Sequence, residues 1–132
     1  MITTEDIASI IMRDLWSFDM PKFIKGHIPI GKVGEEGRIV ILPKEDSDGK
    51  IFDKCFVEVN FLLPDIEGET NIGLDEIERN AYTFFKESKA GQYENQWYTY
   101  SFSRRSVEQD TDLECHYVHI QVLFEILNVI NE

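Results

Sequence analysis

Apolar residues recur at helical spacing in two parts of the chain. In each part an apolar residue falls at every third or fourth position, which places these side chains on one face of a helix. Thr3 and Asp6 form the pattern of a capping box at the start of the first part. The sequence therefore predicts a helix over about Thr4–Trp16 and a second helix that ends near Ser88. The apolar positions are Ile7, Ile10, Ile11 and Leu15 in the first helix and Leu74, Ile77, Ala81 and Phe84 in the second.

Alternating apolar and polar residues predict four strands. Arg38–Pro43 and Lys54–Leu63 are separated by a turn-rich acidic segment, and this arrangement is typical of a hairpin with a long tip. Asn95–Arg104 and Leu113–Val129 follow the second helix and form another hairpin. Because alternate residues of a strand share a face, one side of each strand is expected in the core. The expected core positions are Cys55, Val57, Val59, Phe61, Leu63, Tyr98, Tyr100, Phe102, Val118, Ile120, Val122, Phe124 and Ile126.

These elements predict an α+β fold with the order α-β-β-α-β-β. Two hairpins give a four-stranded, mainly antiparallel sheet, and both helices are available to pack on one face of it. A length of 132 residues fits a single domain spanning 1–132. The segment Ser17–Glu36 is rich in proline and glycine and carries Lys22, Lys25 and Lys32, so it is expected to be an extended basic connector at about 17–36.

The charge balance limits the partners. The chain has 25 Asp and Glu against 13 Lys and Arg, a net charge of -12, yet 42% of its residues are hydrophobic, enough for a folded core. Because nucleic-acid phosphates attract basic side chains, this balance argues against direct nucleic-acid binding, although not against DNA passing nearby. The start of the chain resembles no secretion signal, and no run of roughly 18 apolar residues predicts a membrane span. Synthesis in the cytoplasm is expected, with Cys55 and Cys115 as buried free thiols.

No residue pattern in the chain carries recognisable catalytic or metal chemistry. His116 and His119 are three positions apart on a predicted strand, so they should point to opposite faces. Glu45, Asp46 and Asp48 precede Gly49 as in a calcium loop, but the loop's end positions lack carboxylates, which leaves an acidic surface. We therefore predict no catalytic residue, no metal and no cofactor, and a protein that is not an enzyme.

The second face of the predicted sheet mixes aromatic, apolar and polar residues. Trp97, Tyr117, His119 and Leu123 lie on it, a composition typical of subunit interfaces. Two interpretations stay open at this point. The face is either an interface between subunits, or it is hidden because the sheet curls over itself or the connector covers part of it. The connector side chains available to cover it are Phe18, Phe23, Ile28 and Ile30.

Three stretches carry a resemblance to a known family. They are the opening helix Thr3–Ile7, the run Phe56–Asp65 that leads into the helix at Leu74–Ile77, and the closing strand Tyr117–Val122. In size and element order the chain resembles the tail-terminator and tail-completion (head-tail connector) proteins of long-tailed bacteriophages and prophages. The resemblance lies in layout and covers most of the chain, without an invariant motif.

The resemblance implies a non-enzymatic structural role. Such subunits form a homo-oligomeric ring, with a hexamer as the expected size, that terminates the tail tube and joins it to the head, so the mature location would be the virion tail. The expected partners are other copies of this chain and tail-tube or connector proteins. Each contact in a ring joins two different patches. In this chain we expect the basic residues Lys22 and Lys25 of one subunit to meet the acidic loops of the next. The alternative function is a small-ligand or peptide-binding module, with a pocket lined by Tyr98, Tyr100 and Phe102.

Overall fold

A computed structural model describes residues 1–44, 54–66 and 72–127. Glu45, Asp46 and Asp48 lie outside this part of the chain. The described part has two helices and six strands, and it is an α+β structure. Their order is α1 (Thr4–Asp14), β1 (Lys22–Ile24), β2 (Arg38–Pro43), β3 (Lys54–Pro64), α2 (Ile72–Phe85), β4 (Lys89–Tyr93), β5 (Gln96–Asp110) and β6 (Cys115–Leu127).

The strands form one mixed sheet in the order β1-β2-β3-β6-β5-β4, which curls into a half-barrel. β1 and β2 are parallel, and every other neighbouring pair is antiparallel. The prediction of a four-stranded, mainly antiparallel sheet in the order α-β-β-α-β-β is therefore wrong. The four long strands were found by their alternation, but β5 extends beyond its predicted end and two short edge strands were missed.

The missed strands depend on pairing with their neighbours rather than on their own apolar residues. β1 has only three residues, lies inside the predicted connector and is held parallel to β2, where Ile39 N–H donates to the Pro21 carbonyl at 2.8 Å. β4 has a single large apolar side chain, Tyr93, and pairs with β5 across a tight turn. Glu94 and Asn95 form that turn with φ of 46° and 65°, the left-handed conformation typical of two-residue hairpins.

Both helices pack on the same face of the sheet and close one main core. Ile7, Ile10 and Ile11 of α1 are buried in this core together with alternate residues of β2, β3 and β6. α2 contributes Leu74, Ala81 and Phe85. The sheet residues of this helix-covered face are Ile39, Ile41, Cys55, Val57, Val59, Phe61, Tyr98, Tyr100, Val118, Ile120, Val122 and Phe124.

The predicted capping box is present at the start of α1. Asp6 N–H donates to Thr3 Oγ1 at 3.1 Å, and Thr3 N–H donates to Asp6 Oδ2 at 2.9 Å. Replacing Thr3 by alanine removes the acceptor for one otherwise unpaired N–H, so the free energy of unfolding should fall by about 1 kcal/mol in a urea titration. Thr3→Ser keeps the acceptor and should stay close to the native stability. Equal stabilities for the two variants would contradict this role of the cap.

Three aromatic rings fill the space between β5, β6 and α1. Tyr98 and Tyr100 stack on Phe124 with ring centroids 5.2 and 5.9 Å apart. Arg13 of α1 donates to the Tyr98 hydroxyl at 3.0 Å, and the Tyr100 hydroxyl donates to Asp14 Oδ2 at 2.7 Å. Tyr98 and Tyr100, expected to line a pocket in a ligand-binding module, are therefore core residues.

Tyr100 makes the stability of the fold sensitive to alkaline pH. Burial, and then the hydrogen bond to Asp14, raise the pKa of its phenol well above the ordinary value of about 10. The folded state thus prefers the protonated phenol, and its stabilising contribution is complete below pH about 10 and declines above it as the unfolded chain ionises. Tyr100→Phe should cost about 1 kcal/mol at pH 7 through the lost hydrogen bond.

Urea titrations from pH 7 to 11 test this dependence. Above pH 10 the native protein should lose more stability than Tyr100→Phe. The difference between their free energies of unfolding should therefore narrow. Part of the decline should persist in the variant, because the pKa values of Tyr93 and Tyr117 are also raised. If the difference in the free energy of unfolding stays constant from pH 7 to 11, Tyr100 has the same pKa in the folded and unfolded chain.

Candidate functional site

The sheet has a second face, turned away from both helices, which we call the open face. The register of the strands fixes which side chains lie there, because opposite residues of paired strands share a face. Its residues include Arg38, Val40 and Leu42 of β2; Phe56, Glu58, Asn60 and Leu62 of β3; Trp97, Thr99, Ser101, Arg104 and Glu108 of β5; and Tyr117, His119, Gln121, Leu123, Glu125 and Leu127 of β6.

One end of the open face is covered by the connector. Val33 is buried there in a second small core with Val40, Leu62 and Cys115. Arg38 is only 6% exposed, and its guanidinium donates to the carbonyl oxygens of Pro29, Gly31 and Lys32 at 3.3, 3.2 and 2.7 Å. These bonds hold the connector against the sheet.

The connector covers the face with only some of the side chains that the sequence suggested. Half-buried Phe23 lies opposite Val40 on the open face, and Ile28 borders the pocket there. Phe18 packs on the opposite, helix-covered side, with its ring 5.1 Å from Phe61 and 6.1 Å from Phe84. Ile28 and Ile30 are exposed. Val33 and the backbone carbonyls that Arg38 binds complete the cover, and an apolar pattern cannot reveal hydrogen bonds of this kind.

A pocket of about 180 Å³ lies where the connector meets the sheet. Ile28 borders it on the connector side, Arg38, Asn60 and Tyr117 on the sheet, and Asp110 at the end of β5. His119 is buried beside it, with Nδ1 2.7 Å from Asn60 Oδ1. The pocket therefore combines an apolar wall with a buried cation and polar groups.

The other end of the open face is uncovered in the described structure and forms an apolar patch. Phe56, Trp97 and Leu127 are 45%, 47% and 44% exposed, and Leu123 is half-buried. The polar row of Lys54, Glu125 and Thr99 lies between Leu123 and Leu127 on this face. Phe56 is opposite Leu123 on neighbouring strands, and Trp97 is opposite Leu127. The four side chains, Phe56, Trp97, Leu123 and Leu127, are the apolar patch from here on.

The predicted interface residues fall into separate places. Trp97 and Leu123 belong to the apolar patch, whereas Tyr117 and His119 lie at the covered end of the open face. Lys22 Nζ donates to the carbonyls of Phe18 and Met20 at 2.6 and 3.1 Å, while Lys25 is exposed beside the start of α1.

Sequence reasoning did not include Arg38, Phe56 and Leu127 among the site residues. Arg38 opens an apolar strand and gives no signal, because its partners are backbone carbonyls. Phe56 and Leu127 were detectable from strand alternation, since their positions share the face of Trp97 and Leu123.

The chemistry of the titratable groups is limited in the described residues. His116 Nδ1 lies 2.5 Å from Asp65 Oδ1 on the helix-covered side, whereas His119 lies on the open face, so the two histidines point apart. Burial raises the pKa of the Cys115 thiol to about 11, which keeps it protonated at neutral pH. Across residues 1–44, 54–66 and 72–127, no group of three or more His, Cys, Asp or Glu is placed to hold a metal ion.

Comparison with known proteins identifies a solved structure of similar fold but gives no function. No protein-family model and no curated protein matches the chain. Solved structures do match, and one, whose name describes no function, has 14% sequence identity and a TM-score of 0.62. The alignment covers 97% of this chain and 96% of that chain. This similarity shows a shared fold. In the described part of the chain, no helix is both long and apolar enough to cross a membrane.

Proposed function

We propose that the protein is a non-enzymatic structural subunit of a phage or prophage tail, which forms a ring that terminates the tail tube and joins it to the head. The layout resemblance to tail-terminator proteins supports this proposal. The series α1-β2-β3-α2-β5-β6, which carried the resemblance, is retained within the longer order of elements. The two additional strands are short and lie at the sheet edges.

The observation that carries the proposal is the apolar patch. Two apolar pairs, Phe56–Leu123 and Trp97–Leu127, lie on the open face of neighbouring strands, and three of the four side chains are nearly half exposed. Single exposed apolar residues need no explanation, but two exposed apolar pairs on one face, each with an aromatic anchor, are typical of a surface that another protein covers. A subunit interface accounts for this patch without any catalytic group.

A ring also needs a second, different surface to receive the patch of the neighbouring copy. The connector offers one, because Ile28, Ile30 and Lys25 are exposed on it. A surface with exposed apolar side chains and a lysine suits a patch on an acidic neighbour, whose net charge is -12. In this arrangement Arg38 holds the connector in the shape that the next subunit contacts.

The acidity of the chain fits a channel through which DNA passes. A negative surface repels the phosphate backbone, so DNA would not adhere to the inside of the ring. This reasoning opposes a role in direct nucleic-acid binding and agrees with proximity to DNA during passage.

Electron microscopy of the protein mixed with the tail-tube protein of the same phage or prophage tests the proposal. We expect a ring of density at one end of each tube and a halt in tube growth. Genes for portal, capsid and tail tube should also lie beside the gene for this protein. Tubes that grow unchanged, with no density at their ends, would contradict the proposal.

The pocket beside Arg38 favours a second candidate function, the binding of a small ligand without catalysis. Its volume of about 180 Å³ suits a small ligand, and its buried guanidinium favours a carboxylate, which Asp110 on the pocket border partly repels. Thermal unfolding with acetate or benzoate separates the two functions. A rise of the midpoint with one of them would favour the binding module, whereas an unchanged midpoint leaves the ring as the better proposal.

A further inference from the structure

The outer edge of β5 is long and open in the described structure. β4 pairs only with Gln96–Tyr100, whereas β5 continues to Asp110 and stays paired with β6 along its inner edge. From Ser101 to Asp110, no strand among the described residues pairs with the outer edge. Alternate N–H and carbonyl groups on such an edge are available to another strand.

A bulge in β5 determines how the side chains of this edge are arranged. The register with β6 shifts between Phe102 and Arg104, so that Arg104 lies opposite Gln121 and Arg105 opposite Ile120. Arg105 therefore points to the helix-covered side, where it donates to Glu78 at 3.2 Å and lies 4.5 Å from the ring centre of Tyr82.

Arg104 and Glu108 remain on the open face, and their charges are available. Arg104 is opposite Gln121, and Glu108 is opposite Tyr117. Because Gln121 and Tyr117 share the open face of β6, Arg104 and Glu108 lie on that face as well. Arg104 makes no ion pair with any residue of the described chain, and Glu108 accepts only from the Ser106 hydroxyl, at 3.1 Å. The two unlike charges are four residues apart, about 13 Å along the strand.

This spacing is complementary to itself in an antiparallel arrangement. If two β5 edges meet with Ser106 opposite Ser106, Arg104 of each copy faces Glu108 of the other. The same register places Arg105 opposite Val107, so no like charges face one another between positions 104 and 108. Charges and bulges usually protect an edge strand from pairing, but here unlike charges separated in this way favour one register and one partner, a second copy of this chain.

We propose that two copies of the protein join through their β5 edges, antiparallel about Ser106, and so continue the sheet from one subunit into the next. The other sheet edge, β1, has only three residues and offers far less to pair with. This contact is isologous and uses neither the apolar patch nor the connector. It is therefore independent of the proposed ring.

Charge reversal tests this pairing by native mass spectrometry. Arg104→Glu and Glu108→Arg each place like charges opposite one another in a homodimer, and each should weaken dimerisation at least about tenfold. Mixing the two variants should restore a heterodimer, because both pairs are then unlike, and the mass difference identifies it. Lys86→Glu changes an exposed charge away from β5 and should dimerise like the native protein.

Three outcomes would overturn the pairing: a native protein that is monomeric at every concentration, variants that dimerise as well as the native protein, or a mixture that forms no heterodimer. The charge variants should still form rings on tail tubes if the proposed function is correct. If the native protein dimerises through β5 but forms no rings on tail tubes, the proposed function is rejected and the β5 pairing is retained.

Discussion

Ile120→Asp should abolish cooperative folding. Ile120 is fully buried in the centre of the sheet, with Val59 of β3 on one side and Arg105 of β5 on the other. Its side chain points into the main core under the helices. A carboxylate at such a site loses its hydration while the opposite Arg105 is already paired with Glu78, so it costs on the order of 5 kcal/mol, comparable with the whole stability of a small domain. Circular dichroism during heating should show no sharp transition.

A neighbouring position provides the control for this substitution. Gln121 follows Ile120 on the same strand but lies on the open face, where it is only half buried. Gln121→Asp introduces the same side chain next to solvent and should lower the free energy of unfolding by no more than about 1 kcal/mol. A folded Ile120→Asp, or equal effects at the two positions, would mean that the faces of β6 are assigned wrongly.

Trp97→Ala should leave the domain folded and weaken ring assembly. The Trp97 side chain is 47% exposed in the apolar patch, so its loss removes little from the core of a single subunit. In an interface, a buried tryptophan anchor is worth about 2 kcal/mol or more. The concentration needed for half-maximal assembly on tail tubes should therefore rise at least about tenfold.

A second exposed tryptophan provides a matched control. Trp16 follows helix α1, is 82% exposed and lies outside the open face. Trp16→Ala removes the same side chain from a place where we expect no subunit contact, and assembly should be unchanged. If both variants assemble equally well, the apolar patch is not the ring interface, and if Trp97→Ala unfolds the domain, the patch supports the fold instead.

The sequence could predict the parts of the fold that follow from local periodicity. Residues such as Ile7 and Ile11, or Val57 and Val59, repeat with the period of their own element, so both helices and the four long strands were found. β1 and β4 were missed because three residues of a connector, or a strand with one large apolar side chain, form only when a neighbouring strand offers hydrogen bonds.

The end of β5 was also misplaced, for a related reason. The predicted strand ends at Arg104, since Val107 is the only apolar residue among the next six. The hairpin with β6 nevertheless carries it to Asp110, because pairing with β6 satisfies its backbone groups without burial of its side chains.

The candidate site was only partly accessible from the sequence. Alternation correctly placed Trp97 and Leu123 on the face opposite the core. It could not show that this face has two zones, because the covering of one zone depends on bonds from Arg38 to distant carbonyl groups. The prediction that acidic loops meet the basic connector stays untested, as do the ring and its partners.

Sedimentation measurements with the tail-tube protein test the central claim most directly. We predict that the native protein, alone or after addition of the tube protein, reaches a ring-sized assembly well above a dimer, and that Trp97→Ala shifts this assembly to higher concentration. Measurements should span a wide range of protein and salt concentrations, because charged contacts weaken as salt rises. A protein that never exceeds a dimer, alone or with the tube protein at any of these concentrations, would contradict the proposed ring.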